Sequence, residues 1–470
     1  MNLLPLAALF AALSPAAAPN LVVIDVCSLR ADRVGAYGYT RDTTPSIDRL
    51  AAQGVLFENA MAQGSWCLPN YATLFTGRPP EAHGLYTNEP RPLPPDTPTL
   101  AETLKKSGYE TAAFSGGVYL LPEWGLTRGF DHYASAFSTA GVGRAQAPVA
   151  DYLDEVQDWL KTRASRAKTA KPGAKPFFLY LAVDDLHAPL QLKGPERYDP
   201  GYEGVALDTR TMGVPFARAY SGEKEGWPAE LEPLVREFKS DPRHMRHLSA
   251  RYDSAVREMD AGIGRLLDEL KSRGLGEDTV VLLTADHGES LGEHGLLGHT
   301  QGLYEPTLRV PLIVLKPGRP DLAGRRVKAL VERGDLMPTL LDWAGAPAPP
   351  LPGRSIEPLL ADPAAPWRDY AFASSRRNLA GNDGRDLRVD ERVARDGRWK
   401  LLWTFDKGGY ELYDLVEDPG ETRDLAAERP EIVARLAFEL ARWVEEHRPH
   451  RPGPPERREP SVRLETTPAR

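Results

Sequence analysis

Four continuous apolar runs constrain this chain more than anything else in it. "LVVIDV" (21–26), "PFFLYLAV" (176–183), "TVVLLT" (279–284) and "VPLIVL" (310–315) show almost no polar alternation, as expected of strands covered on both faces. Helical periodicity lies between them. From Leu248 to Leu270 the apolar residues Tyr252, Val256, Met259, Ile263, Leu266, Leu267 and Leu270 recur every three or four positions, and Gly274 follows. Thr44 and Pro45, closed by Gly54, bracket another helix by N-cap, first-turn proline and terminal glycine. The alternation predicts an α/β fold, a sheet with helices on both faces.

With 470 residues, 41% hydrophobic and 26% charged, the chain can bury one large core and still carry a small partner domain. Its net charge of −8 gives no electrostatic reason to expect nucleic acid. A Pro-rich passage from Ala344 to Pro366 predicts a boundary between a large domain over 19–345 and a small α+β domain over 346–446. In the latter, "RDGRWKLLWTF" and "GYELYDL" read as strands of a small sheet and roughly 429–446 as a helix. Residues 447–470, rich in proline and charge, read as a disordered tail, and the basic run 161–176 as a solvated connecting loop.

Residues 1–18, "MNLLPLAALFAALSPAAA", hold an apolar stretch too short to span a bilayer and end in small side chains. This predicts an export signal and a periplasmic or secreted protein without stable membrane insertion. No basic residue precedes the apolar stretch and Pro19 follows the Ala-x-Ala, so a frayed apolar N-terminus is the competing reading.

Cys27 and Cys67 are the only cysteines, too few for a disulfide framework, so each needs its own reason. The segment densest in chemistry is "LLTADHGESLGEHGLLGH" (282–299). Asp286 and His287 leave the carboxyl end of a buried strand, where α/β sheets place ligands, and His294 and His299 follow within the same segment. Asp beside His at such an edge points to metal ligands.

"TADHGESLGEHG", "YEPTLRVPLIV", "YGYTRDTTPSIDRLAAQGVLFENA" and "ELYDLVEDPGETRDL" together resemble the sulfatase family of the alkaline phosphatase superfamily, from Pro19 to about Trp443. The resemblance implies that family's α/β fold, a large mixed sheet sandwiched by helices with a small C-terminal α+β domain, and a metal-dependent hydrolase acting on a small-molecule or carbohydrate sulfate ester. In the family, the cysteine of a CxPxR motif is oxidised to formylglycine, whose oxygen binds a divalent cation and attacks sulfur. Cys67, with Pro69 and "LFTGR" behind it, stands at that position. A helix starting near Pro69 would direct its free N–H groups and positive end at Cys67, which suits a thiolate or a tetrahedral anion.

Two departures accompany the resemblance. Tyr71 occupies the place of the motif's arginine, which leaves conversion to formylglycine open and removes a cation. Relatives that cleave phosphodiesters or transfer phosphoryl groups use Ser or Thr here in a "TLPS"-like setting, which "CLPN" resembles with a cysteine substituted. Cys27 occupies the place of a metal-binding aspartate at the end of the first strand, with Asp25 two residues earlier on the same face and about 6–7 Å deeper. The resemblance therefore implies one divalent ion, Ca²⁺ or Mg²⁺ as in the family, or Zn²⁺ if Cys27 and Cys67 join Asp286 and His287 as ligands. Asp25 is the substitute first-strand ligand, and a disulfide across the site or two buried packing cysteines are the other readings. His187 matches the family's general acid for the leaving oxygen, and His299 a group on a substrate oxygen or its supporting partner. His83 reads as packing near the site. Sulfate-ester hydrolysis by a Cys67-derived nucleophile is the expected function. Phosphodiester or phosphonate hydrolysis, and a non-catalytic relative binding zinc or a sulfated ligand, are the alternatives.

Overall fold

The computed structural model describes residues 18–448 except 90, 137–146, 170–174, 191, 193, 195, 207–212, 223–227, 300, 381–385 and 406–407. The expected export signal, apart from its last residue, and the tail beyond Arg448 lie outside the described residues. The chain forms strands β1 (Asn20–Val26), β2 (Val55–Met61), β3 (Glu110–Ser115), β4 (His132–Ser135), β5 (Phe177–Val183) and β6 (Thr279–Thr284). A short hairpin β7 (Ser290–Leu291) and β8 (Leu297–Gly298) follows, then β9 (Arg309–Val310), β10 (Leu312–Leu315) and β11 (Arg325–Glu332). Among the described residues the large sheet runs β11-β2-β10-β6-β1-β5-β3-β4, with β9 paired to β2. It is mixed: β1, β5, β6, β3 and β4 run parallel, whereas β10 is antiparallel to both its neighbours.

The apolar runs become the strands because nothing along them needs water. Leu21, Val22, Val23 and Ile24 of β1, and Phe178 to Val183 of β5, have no exposed surface. Helices cover them, the longest being Pro242–Ser272. It approaches the helix Pro45–Gln53 closely, for a Cβ on Gly264 would lie 2.4 Å from the Ser46 hydroxyl. From that approach Asp260 accepts hydrogen bonds from the backbone N–H groups of Ser46 (2.9 Å) and Ile47 (2.9 Å), satisfying orphan donors at the helix start.

The second sheet is antiparallel, β12 (Ala371–Ala380), β13 (Asp386–Arg395), β14 (Trp399–Thr404) and β15 (Gly409–Asp414), backed by the helix Pro430–His447. Leu436, Leu440 and Trp443 of that helix pack on Phe372, Leu401 and Leu412. The expected loop over 161–176 is corrected in its first half, because a helix occupies Leu153–Thr169. Lysine, arginine and alanine are good helix formers, and buried Trp159, Leu160 and Ala164 give the segment an anchoring face.

Candidate active site

Three parallel strands end side by side. β1 is in register with β5 (Val26 opposite Val183) and with β6 (Asp25 opposite Thr284), so the next level carries Asp184, Cys27 and Asp286 on neighbouring strands. Cys27 N–H donates to Val183 C=O at 2.8 Å, which holds this row at the carboxyl edge of the sheet. Opposite it begins the helix Cys67–Thr76, closed by Gly77 in the left-handed conformation.

The Cys67 sulfur lies 3.8 Å from the Cys27 sulfur, 3.2 Å from His287 Nε2 and 3.9 Å from His299 Nε2. Asn88 accepts the Leu68 N–H in the first helical turn (2.8 Å) and turns its amide nitrogen to the Cys67 sulfur (3.6 Å). A nitrogen of His187 lies within 4.8 Å of that sulfur. All three imidazoles are oriented alike: Nδ1 of His187, His287 and His299 sits 2.8 Å from the Ala188 carbonyl, the Gly288 carbonyl and the Glu289 carboxylate, respectively. Tying off Nδ1–H in this way directs Nε2 at the sulfur and sets its tautomer.

Electrostatics divides the two thiols. Burial opposes it, but the hydrogen bond with Cys27 and the imidazoles of His287 and His187 hold Cys67 well below the ordinary thiol range. Burial, then the same hydrogen bond, push Cys27 well above it. Against the cost of burial, Cys67 raises His187 and Glu289 raises His299. Burial moves Asp286 up to about 6.

Asp286, His287, Cys27 and Cys67 offer donor atoms all within 4.8 Å of one another. Asp286 Oδ1 accepts from the backbone N–H groups of Ser28 (3.1 Å) and His287 (2.7 Å), whereas its buried Oδ2 has no hydrogen-bond partner among the described residues. Such an orphan marks a place for a cation. Tetrahedral zinc, with Zn–S about 2.3 Å and Zn–N or Zn–O about 2.1 Å, requires donor separations of roughly 3.8 Å for S···S, 3.6 Å for S···N and 3.4 Å for N···O. The separations are 3.8 Å for Cys27–Cys67, 3.2 Å for Cys67–His287 and 3.4 Å for His287 Nε2–Asp286 Oδ2. The donor set therefore fits zinc; two sulfurs do not fit Ca²⁺ or Mg²⁺, which take six or more oxygens.

Asp25 lies outside this donor set, which corrects its place as substitute ligand. Arg333 forms a bidentate ion pair with it, and the Tyr180 hydroxyl donates to Oδ2 at 2.6 Å. Being two residues earlier, it sits deep enough for Arg333 to reach it, and both carboxylate oxygens are taken. His294 also stands apart, stacked on Tyr304 with ring centroids 3.7 Å apart. His83 is buried against the Cys67 helix, with Nε2 3.1 Å from the Thr73 hydroxyl.

Asn88, Asp184 and Glu289 belong to the site without having been singled out in the sequence. Glu289 carries a local signal, being two residues past His287 in the same motif. Asp184 follows a buried strand just as Asp286 does; its Oδ2 is buried without a hydrogen-bond partner among the described residues, and burial raises its pKa well above the carboxylate range. Asn88 sits in a loop that only the fold brings to Cys67. Tyr71, in the place of the motif's arginine, is buried with its hydroxyl lacking a partner among the described residues. His187 and His299 also line a cavity whose walls are otherwise mainly apolar, including Leu186, Leu190, Ala217 and Leu297.

A family model described as "Sulfatase" matches residues 19–346, and one described as "N-sulphoglucosamine sulphohydrolase, C-terminal" matches 292–446. An arylsulfatase of Clostridium perfringens is 27% identical over 454 residues, covering 87% of this chain and 90% of that protein. A phosphonate monoester hydrolase from Silicibacter pomeroyi superposes with a TM-score of 0.71 at 23% identity, covering 92% of this chain and 96% of the other. A protein solved in complex with its substrate D-glucosamine-2-N,6-O-disulfate superposes at 0.69 with 22% identity, covering 91% and 98%.

Proposed function

Because the chain belongs to the sulfatase family of sulfuric ester hydrolases, we propose that it hydrolyses a sulfate monoester of a small molecule or carbohydrate with one zinc ion at the Cys67 site. The observation carrying this reading is the convergence of Cys27, Cys67, Asp286 and His287 beside two further imidazoles at the start of a helix. Asp286, His287, Cys27 and Cys67 would hold the ion, which when bound would act as a Lewis acid at this site.

Residue 67 carries the attacking atom, and the helix behind it aims N–H groups and the positive end of its dipole at the developing anion. His187, with a ring nitrogen within 4.8 Å of the Cys67 sulfur, protonates the departing oxygen as the S–O bond to the alcohol breaks, and water then attacks the sulfuryl group, breaking its bond to residue 67 and releasing sulfate. His299, held by Glu289, donates to a sulfate oxygen. These two imidazolium groups replace the charge that arginine would have brought in the place of Tyr71. Arg333 is unavailable for that purpose, being consumed by Asp25, the Asn70 carbonyl and the Ala285 carbonyl.

The replacement of that arginine by Tyr71 favours one second reading, phosphonate or phosphodiester hydrolysis on the same architecture. Purified chain assayed with 4-nitrophenyl sulfate and with a phenyl phosphonate monoester, alongside metal analysis and the mass of the peptide carrying residue 67, separates the readings. Expected are faster turnover of the sulfate ester, about one zinc per chain, and loss of both turnover and tight zinc in Cys67→Ala. Preference for the phosphonate would transfer the assignment to the second reading. Zinc without turnover of either ester would make the chain a non-catalytic relative.

A further inference from the structure

Cys27 and Cys67, the only cysteines, are free thiols that touch at 3.8 Å although forty residues separate them in the chain. Neither has exposed surface, and each sits at the end of an element: Cys27 in the turn leaving β1, Cys67 at the first residue of its helix. Terminal positions can pivot where mid-strand or mid-helix positions cannot. A disulfide needs about 2.05 Å between sulfurs, so they must close by roughly 1.8 Å, within the reach of side-chain rotation and a small shift of the turn. That turn already holds Ser28 in the left-handed region (φ 63), with its N–H on Asp286 and its carbonyl accepting the Tyr252 hydroxyl.

We propose that Cys27 and Cys67 are a two-electron redox pair that switches the site off, their disulfide removing both sulfur donors from the ion and the attacking group from the substrate. The loss of function it predicts rests on the hydrolase reading above; the thiol chemistry does not. An aspartate at position 27, as the family resemblance expects there, could form no such bond.

Peroxide is the oxidant. It arrives from the cavity lined by His187 and His299, whose ring nitrogens lie within 4.8 Å of the buried Cys67 sulfur, while Cys27 stands at the sheet edge. The Cys67 sulfur attacks one peroxide oxygen, the O–O bond breaks, and the second oxygen leaves as water after taking a proton, giving a sulfenic acid. The Cys27 sulfur then attacks the Cys67 sulfur, the S–O bond breaks, and its oxygen leaves as a second water. Two thiols and one peroxide become one disulfide and two waters. A dithiol reductant returns two electrons and two protons.

The test uses the zinc-loaded full chain treated with hydrogen peroxide and read by intact mass, thiol titration and a zinc-sensitive dye. Expected are a mass loss of about 2 Da, disappearance of both titratable thiols, release of the zinc, and recovery of all three on adding dithiothreitol and zinc. Cys27→Asp, which keeps an anionic ligand but removes the resolving thiol, should instead gain about 32 Da as a sulfinic acid that dithiothreitol does not reverse. Retention of both thiols and zinc under peroxide, or sulfinic acid in the unmodified chain as fast as in Cys27→Asp, overturns the proposal. Formylglycine at residue 67 would also overturn it while leaving the hydrolase reading intact. Reversible cycling of mass and zinc in a chain that turns over no sulfate ester would support the pair and remove the hydrolase reading.

Discussion

His187 shows how position assigns a role to a common side chain. Its Nδ1 lies 2.8 Å from the Ala188 carbonyl and its ring faces Cys67, which, against the cost of burial, holds its pKa above the ordinary 6.5. A general acid must be protonated, so turnover should decline as pH rises through that raised value. For sulfate esters of poor leaving alcohols, His187→Asn should abolish this basic limb and lower kcat by about 10²–10⁴-fold. For 4-nitrophenyl sulfate, whose leaving oxygen needs little protonation, the loss should be slight. Equal losses for both classes, from parallel pH–rate profiles, would take His187 out of the role.

The element that matters most is the helix Cys67–Thr76, and it is held from behind. His83 Nδ1 accepts the Leu85 N–H at 3.1 Å while Nε2 meets the Thr73 hydroxyl at 3.1 Å, so the ring must be neutral; burial pushes its pKa down to about 3. Between that value and the unfolded value of 6.5, the unfolded chain binds a proton that the native chain refuses. Stability therefore rises with pH across this window and is lost as pH falls from about 6.5 towards 3. Urea midpoints measured over the window should show this slope, and His83→Gln should flatten it. At neutral pH, His83→Ala should cost about 1–3 kcal/mol because Leu85 N–H loses its buried acceptor.

At the scale of the molecule, the small sheet braces the approach to Cys67. Ser374 N–H on β12 donates to the Gln63 carbonyl (3.0 Å), Ser375 meets Ser65 (3.0 Å), and the Trp66 indole donates to the Arg376 carbonyl (3.2 Å). Ser374 and Arg392 both bond Glu81 in the segment after the helix. The two sheets are also joined by a buried ionic cluster, in which Lys400, without exposed surface, meets Glu421 at 2.7 Å and Glu305 at 3.2 Å. Removing one partner of such a cluster leaves unpaired buried charge, so Lys400→Ala should destabilise the chain by about 3–5 kcal/mol. Hydrogen exchange should accelerate in β14 first, and then in residues 63–66. Exchange confined to β14 would show that the small sheet does not support the site.

The large sheet was legible because buried strands and amphipathic helices are encoded by periodicities within a few residues. "TVVLLT" is β6 residue for residue, and Asp286 and His287 follow it because the carboxyl edge begins where the apolar run stops. β12 and most of β13 gave no such signal, since Ser374 of "AFASSRRNLA" and Arg392 and Arg395 of "DLRVDERVAR" are polar groups that meet Glu81 and Glu305 from distant parts of the chain. By itself the sequence determined the fold class and the strand ends, and the family resemblance implied the approach of both cysteines to one edge. Only the tertiary structure decided which strand-end residue meets Cys67. Asp25 and Cys27 share a face of β1, and the choice fell to Arg333, 308 positions from Asp25, whose buried guanidinium takes the deeper carboxylate and leaves the thiol at the rim. Local periodicity can state which way a side chain points, whereas its partner is set by chain that returns from far away.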